Sequence, residues 1–284
     1  MTRTFWSAWW LASIALLPSL SLAQEVLSAE LLWETDTLLT TVESAIYDPI
    51  TDVIYTTNID GHFMRKDGQG SVSTVALDGR VLDAEWIRGL HAPTGTGIHE
   101  GHLFVTDIDA IVEIDIEAGA VVQRYPVPGA VALNDIVIDA QGTVYASDTG
   151  GNTVYALHNG VLRTVASDID TPNGLLAQDG RLLVTQWTLQ TVGWMDLETE
   201  AVSTLAQGIE GPDGLEAIGD GTFLASGFNG QIYHLQADGS KTLILDTAGD
   251  GIRAADIEYI PAKRLLLVPT MQRNTLRAYR LADG

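Results

Sequence analysis

Apolar and polar residues alternate over short runs along most of the chain. One run reads Thr143-Val144-Tyr145-Ala146-Ser147-Asp148, with Gly142 before it and Gly150 and Gly151 after it. Period-two runs rich in Val, Ile, Leu, Tyr and Thr, set between Gly, Asp and Asn, predict strands and tight turns. The 3.6-residue period of an amphipathic helix is nearly absent beyond the N-terminal segment.

The runs also repeat. Asn134-Asp135-Ile136 leads into 142–148, Asn173-Gly174-Leu175 into 180–186, and Asp213-Gly214-Leu215 into 221–227. Weaker copies begin at Glu43-Ser44-Ala45, Thr96-Gly97-Ile98 and Ala255-Asp256-Ile257. The anchors at 43, 96, 134, 173, 213 and 255 are 53, 38, 39, 40 and 42 residues apart. A period near 40 residues with about four short strands per unit is that of a propeller blade. The pattern predicts an all-β protein, a six-bladed β-propeller of four-stranded blades. The last unit has room for only three strands, near 256–260, 264–268 and 276–281. A strand-like stretch at 30–39 precedes the first anchor and is expected to supply the fourth, closing the ring and hiding a sheet edge.

The first residues differ from this pattern. Arg3 precedes an apolar run at 5–17, Pro18 breaks it, and Ser21-Leu22-Ala23 has the small-x-small form of a cleavage site before Gln24. This predicts a signal peptide at 1–23 and a single propeller domain at 24–284, in the periplasm or the exterior. A membrane anchor is the rival reading, but the run is short for a span. No later segment is apolar for long enough, so no membrane span is expected in the mature chain.

Composition narrows the chemistry. Cys is absent, which excludes disulfides, thiolate zinc sites and a cysteine nucleophile. The 37 Asp and Glu against 15 Lys and Arg give a net charge of −22, which disfavours a nucleic-acid partner. There is no G-x-S-x-G elbow, P-loop or dinucleotide-binding glycine fingerprint. His99-Glu100-Gly101-His102 has the wrong spacing and context for a zinc helix.

In a propeller the innermost strand of each blade lines the central channel, so the anchors ring its mouth. Glu43, Asn134, Asn173 and Asp213 offer two carboxylates and two amide oxygens, a hard-oxygen set suited to Ca²⁺. Thr96 and Ala255 are poor ligands, which leaves the set on one side of the ring beside open space. Asn-Gly, Asp-Gly and Asn-Asp are also ordinary turn dipeptides, so a purely structural reading of the anchors stands beside the metal one.

These motifs carry a family likeness. Glu43-Ser44-Ala45-Ile46-Tyr47-Asp48, Leu133-Asn134-Asp135-Ile136, Pro172-Asn173-Gly174-Leu175 and Pro212-Asp213-Gly214-Leu215 resemble the inner-strand motifs of the gluconolactonase/senescence-marker-protein superfamily. That superfamily includes regucalcin, with paraoxonase and diisopropylfluorophosphatase as distant relatives. The resemblance spans nearly all of the mature chain. It implies a six-bladed propeller with one catalytic divalent cation, usually calcium, held by Glu43, Asn134, Asn173 and Asp213. It also implies hydrolysis of a lactone or related ester, a small-molecule substrate. A second, structural calcium near Asp135 is a further implication, with turn capping as the alternative role of Asp135. Ala132 stands where gluconolactonase-like members often carry Arg, and Thr96 where paraoxonase-like members carry His.

The cation would polarise a carbonyl and position water, with Asp213 as candidate base, nucleophile or ligand only. The second strand of each blade ends on the face where the first begins. Asp107, Asp148, Trp187, Phe228 and Met271 are therefore expected to wall the pocket, Asp107 and Asp148 repelling anions. For the aromatic residues, ordinary packing between blades is the alternative. The long connection at 58–70, with His62, Phe63 and Met64, could form a lid. The leading expectation is a monomeric, calcium-dependent lactone or ester hydrolase. The alternative is a non-catalytic propeller that binds a small ligand or a protein through the same face.

Overall fold

The computed structural model describes residues 27–219 and 221–283, together with Met1. The segment read as a signal peptide lies outside the described residues. Among the described residues, six four-stranded antiparallel sheets stand around a ring. The inner strands of blades one to six, in chain order, are Val42–Asp48, Pro93–His99, Leu133–Ile138, Pro172–Gln178, Pro212–Gly219 and Glu258–Ile260. Blade six is built from Glu258–Ile260, Leu265–Pro269 and Leu276–Asp283, with Leu27–Glu34 as its outermost strand. Leu27 lies opposite Asp283 and Glu34 opposite Arg277. That outer strand begins three residues earlier than the sequence pattern suggests and ends at Glu34, whose carboxylate binds Arg273, Arg277 and Thr275.

Each blade is a meander of neighbours in sequence, so strand pairing is local. The core is not local, because blades pack face to face. Ile54 and Val75 of blade one meet Leu265, Leu267 and Leu276 of blade six. Tyr55 and Val72, on the other face of blade one, meet Leu103 and Val105 of blade two. Middle strands are therefore buried on both faces, as in Val144–Asp148, while outer strands such as Ala120–Pro126 alternate toward solvent. Truncating a side chain such as Leu267 to Ala would cost about 2–5 kcal/mol.

One irregularity recurs. The ladder between the first two strands slips between Val42 and Ala45, Pro93 and Thr96, Leu133 and Ile136, Pro172 and Leu175, and Pro212 and Leu215. In each case three steps on the inner strand oppose two on its neighbour, a β-bulge in the same place in five blades. A bulge re-aims a side chain, and the first residues inside these bulges are Glu43, Thr94, Asn134, Asn173 and Asp213.

Candidate metal centre

The bulges converge on the channel mouth, where neighbouring inner strands press together. A Cβ on Gly174 would lie 1.9 Å from the Asp213 carbonyl oxygen, and one on Gly95 would lie 2.5 Å from the Asp135 Cα. Only glycine permits this approach.

A repeated hydroxyl contact pins four of the five bulges and the start of blade six. Thr57 donates to Thr94 O (2.6 Å), Thr106 to Asn134 O, Thr185 to Asp213 O (3.3 Å) and Ser226 to Ala255 O (2.7 Å), each reaching into the next blade. Thr57, Ser147 and Ser226 also accept from the backbone N–H of Ser44, Asp135 and Gly214 in their own blades. The backbone at Asn134 and Asp213 is therefore held from both sides, and that at Glu43 from its own blade.

Glu43, Asn134, Asn173 and Asp213 all line one cavity of about 680 Å³ on this face, a volume typical of small-molecule sites. Glu43, Asn173 and Asp213 are at most 5% exposed. Asn173 hydrogen-bonds Asp213 through its side chain. Glu43 Oε2 and Asn173 Oδ1 are buried without any hydrogen-bond partner. Orphaned buried acceptors are costly. Thr56 Oγ1, Asn58 Oδ1 and Gln178 Oε1 are also unpartnered, but of these acceptors Glu43 Oε2 and Asn173 Oδ1 are the two whose residues line the cavity and belong to the predicted ligand set. Burial first, then the charges of Asp213, Asp256 and Asp135, pushes the Glu43 carboxyl well above its usual range. Burial and Asp256 do the same to Asp213. A divalent cation would relieve both effects, so the donor set fits a hard, oxygen-preferring ion. Among the described residues no group of three or more His, Asp or Glu is arranged to hold a metal. The set that fits contains two amides.

The blade-two position corrects the sequence reading. Register equates Thr94, not Thr96, with Glu43 and Asn134, and Thr94 lines the cavity. Thr94 follows Pro93 as Asn173 follows Pro172 and Asp213 follows Pro212, a signal that was present in the chain.

Trp187, Phe228 and Met271 line the cavity, Trp187 and Phe228 with ring centroids 5.4 Å apart. Met271 has φ 53°, unusual for a non-glycine residue, and its N–H donates to Val42 O at 3.0 Å. Phe63 and Met64 of the long blade-one connection stand on the same wall. That connection is tied down by a Lys66–Asp109 ion pair and by Gly68 N–H donating to His91 Nδ1.

Asp107 and Asp148 do not line the cavity. Asp107 accepts from the His91 and Ala92 N–H groups, both at 2.9 Å, and pairs with Arg124. Asp148 accepts from Val131, Ala132 and Gly151 N–H. The turn entering each inner strand leaves backbone donors exposed, and these carboxylates turn inward to satisfy them. Asp135 accepts from Ile136 N–H and, at 2.6 Å, from Leu175 N–H of the next blade. Its two oxygens are thus occupied as a strap between blades three and four.

Three acids to which the sequence pattern assigned no role meet in the channel. Asp256 accepts from the Ser44 hydroxyl at 2.7 Å and hydrogen-bonds Asp135. Glu216 and Glu258 hydrogen-bond each other deeper in the channel. Burial pushes Asp256 up to about 6 and Glu258 up to about 8.

No protein-family model and no curated protein sequence matches the chain. Solved structures do. A protein provisionally named a gluconolactonase matches with TM-score 0.68 at 16% identity, over 90% of this chain and 92% of its own. A catalytically inactive histidine-to-alanine variant of virginiamycin B lyase from Staphylococcus aureus, in complex with quinupristin, matches with TM-score 0.62 at 11% identity, over 91% and 100%. A streptogramin B lyase structure matches with TM-score 0.62 at 12% identity, over 90% and 98%. At these identities the likeness is one of fold.

Proposed function

We propose that the chain is a calcium-dependent hydrolase of a lactone or related ester, working at the channel mouth. The observation that carries this reading is the pair of orphaned, buried acceptors, Glu43 Oε2 and Asn173 Oδ1, in a largely apolar cavity. A scaffold or a simple binding face has no need to bury them. Glu43, Asn134, Asn173 and Asp213 would hold the ion. When bound, Ca²⁺ would polarise the substrate carbonyl and stabilise the charge that develops on its oxygen.

The chain's own residues do the rest. Asn173 orients the Asp213 carboxyl through its hydrogen bond. Asp213, deprotonated once a cation sits beside it, is the candidate to take a proton from attacking water. The hydroxyl pins fix the backbone that carries Glu43, Asn134 and Asp213, which limits reorganisation during reaction. Trp187, Phe228 and Met271 exclude water from one side.

The fold likeness supports an enzyme, since its neighbours bear a gluconolactonase name and a lyase name. Between the two chemistries the lining favours hydrolysis. A lyase neighbour is recorded as inactive once a histidine is replaced by alanine, whereas none of the described residues lining this cavity is a histidine. Lactone and ester turnover measured with Ca²⁺ and after chelation tests the proposal. Activity that disappears with chelator and returns with Ca²⁺ is expected. Metal uptake with no turnover across the panel would replace this reading with the non-catalytic one.

A further inference from the structure

The cavity over the oxygen quartet is hydrocarbon on almost every side except its floor. Ile59, Leu133 and Met271 close it toward the blades, Trp187 and Phe228 form one flank, and Phe63 stands at the rim. No Lys, Arg or His is among the described residues lining it. Of the polar side chains beside the quartet, the Thr94 and Thr149 hydroxyls are already engaged, while Gln272 is an exposed amide of the lining. The Thr94 hydroxyl contacts Thr106 Oγ1 at 2.8 Å and donates to Asn134 O at 2.9 Å. Thr149 donates to Pro172 O at 2.6 Å. A site that reads sugar hydroxyls needs free donors and acceptors at fixed positions, and these hydroxyls are committed to the scaffold. Phe63 is 58% exposed and Met64 38% exposed although both line the cavity, so a ligand would cover apolar surface that is now in water.

We infer that the substrate is a neutral lactone or ester carrying a hydrocarbon substituent, and that polyhydroxylated and anionic lactones are rejected. This rests on the lactone and ester reading above and gives it a substrate class. The carbonyl end faces the quartet. The hydrocarbon lies along Trp187, Phe228 and Phe63. A carboxylated substituent would find no counter-charge in the wall and a chain of net charge −22 around it.

The test uses the calcium-loaded protein and two ligand series. The first is γ-lactones of increasing alkyl length, with glucono-1,5-lactone and an ω-carboxylated lactone as comparisons, followed by kcat/KM. The second is the matching γ-lactams, which resist turnover, followed by calorimetric Kd. Each methylene seated in the wall is expected to tighten lactam binding about three- to fourfold until the cavity is full. The sugar and carboxylated ligands are expected to bind more weakly than the uncharged alkyl ligand of similar size. Phe63→Ser, at an exposed position that leaves the core intact, should lower the long-chain to short-chain ratio. Lactam binding that climbs with chain length while no lactone is hydrolysed would retain the substrate class and reject the catalytic reading. Turnover with no chain-length dependence, or with the sugar lactone preferred, would retain the catalytic reading and overturn the substrate class.

Discussion

The channel buries acids at two depths, and the two groups are stabilised differently. Near the mouth, Glu43 and Asp213 stand with two asparagine side chains, and two acceptor oxygens point at nothing. Deeper down, Glu216 and Glu258 hydrogen-bond each other, an arrangement that requires one of them to hold a proton, and Glu258 also receives the Tyr47 N–H at 3.5 Å. Like charges in a desolvated space cannot all ionise. The deep pair answers with a shared proton. The mouth set has amide oxygens added and acceptors left over, the feature on which the proposed cation site rests.

Substitution at the mouth should break this contrast most severely. Asp213→Asn and Glu43→Gln are each expected to lower kcat/KM by roughly 10²–10³-fold or more, the scale of losing one preorganised electrostatic contact. Each should also raise the melting temperature of the metal-free protein, because a buried like charge is removed. Loss of activity together with lower metal-free stability would contradict the assignment.

Calcium addition comes next. At a hundredfold excess over Kd it should add about 2.7 kcal/mol of stability, read as a melting-temperature rise that chelator reverses. Glu43→Gln should lose that rise and Glu258→Gln should keep it.

The deep pair should show itself through pH. The Glu258 carboxyl is raised from 4.5 to about 8, so the folded chain holds a proton that the unfolded chain releases. Its contribution is complete below about pH 4.5 and is lost as pH rises through 8. Metal-free melting temperature should therefore fall across that window. The groups facing the pair, Asp256 and Asp135, push in the same direction. Glu258→Gln should flatten the slope, and an unchanged slope would show that the proton resides elsewhere.

The smallest effect is expected at the pins between the two regions. Ser226→Ala removes a donor to Ala255 O and an acceptor for Gly214 N–H, at a cost of about 1–3 kcal/mol. Its catalytic effect should be small beside that of Asp213→Asn.

Much of the molecule was legible along the chain because a blade is a local object. Four strands that follow one another in sequence pair with one another, so the 40-residue period, the turn residues and the alternation carried the blade count and the order Glu43, Asn134, Asn173, Asp213 without any three-dimensional knowledge. The apolar wall at Trp187, Phe228 and Met271 followed from strand direction alone.

What the chain could not show was which way a side chain turns once a bulge or a neighbouring blade intervenes. Thr94 takes the place of Thr96 because the ladder register of blade two, rather than the Thr-Gly-Ile run, decides which residue matches Glu43 and Asn134, although Pro93 before it was a signal in the chain. Asp107 and Asp148 stand at the predicted strand ends, yet unpaired N–H groups of the entering turns draw them into the scaffold. Asp256, Glu216 and Glu258 look in sequence like scattered acids. Closing the ring brings residues some 40 positions apart into one narrow, desolvated channel, and only there does each carboxylate raise the others' affinity for a proton.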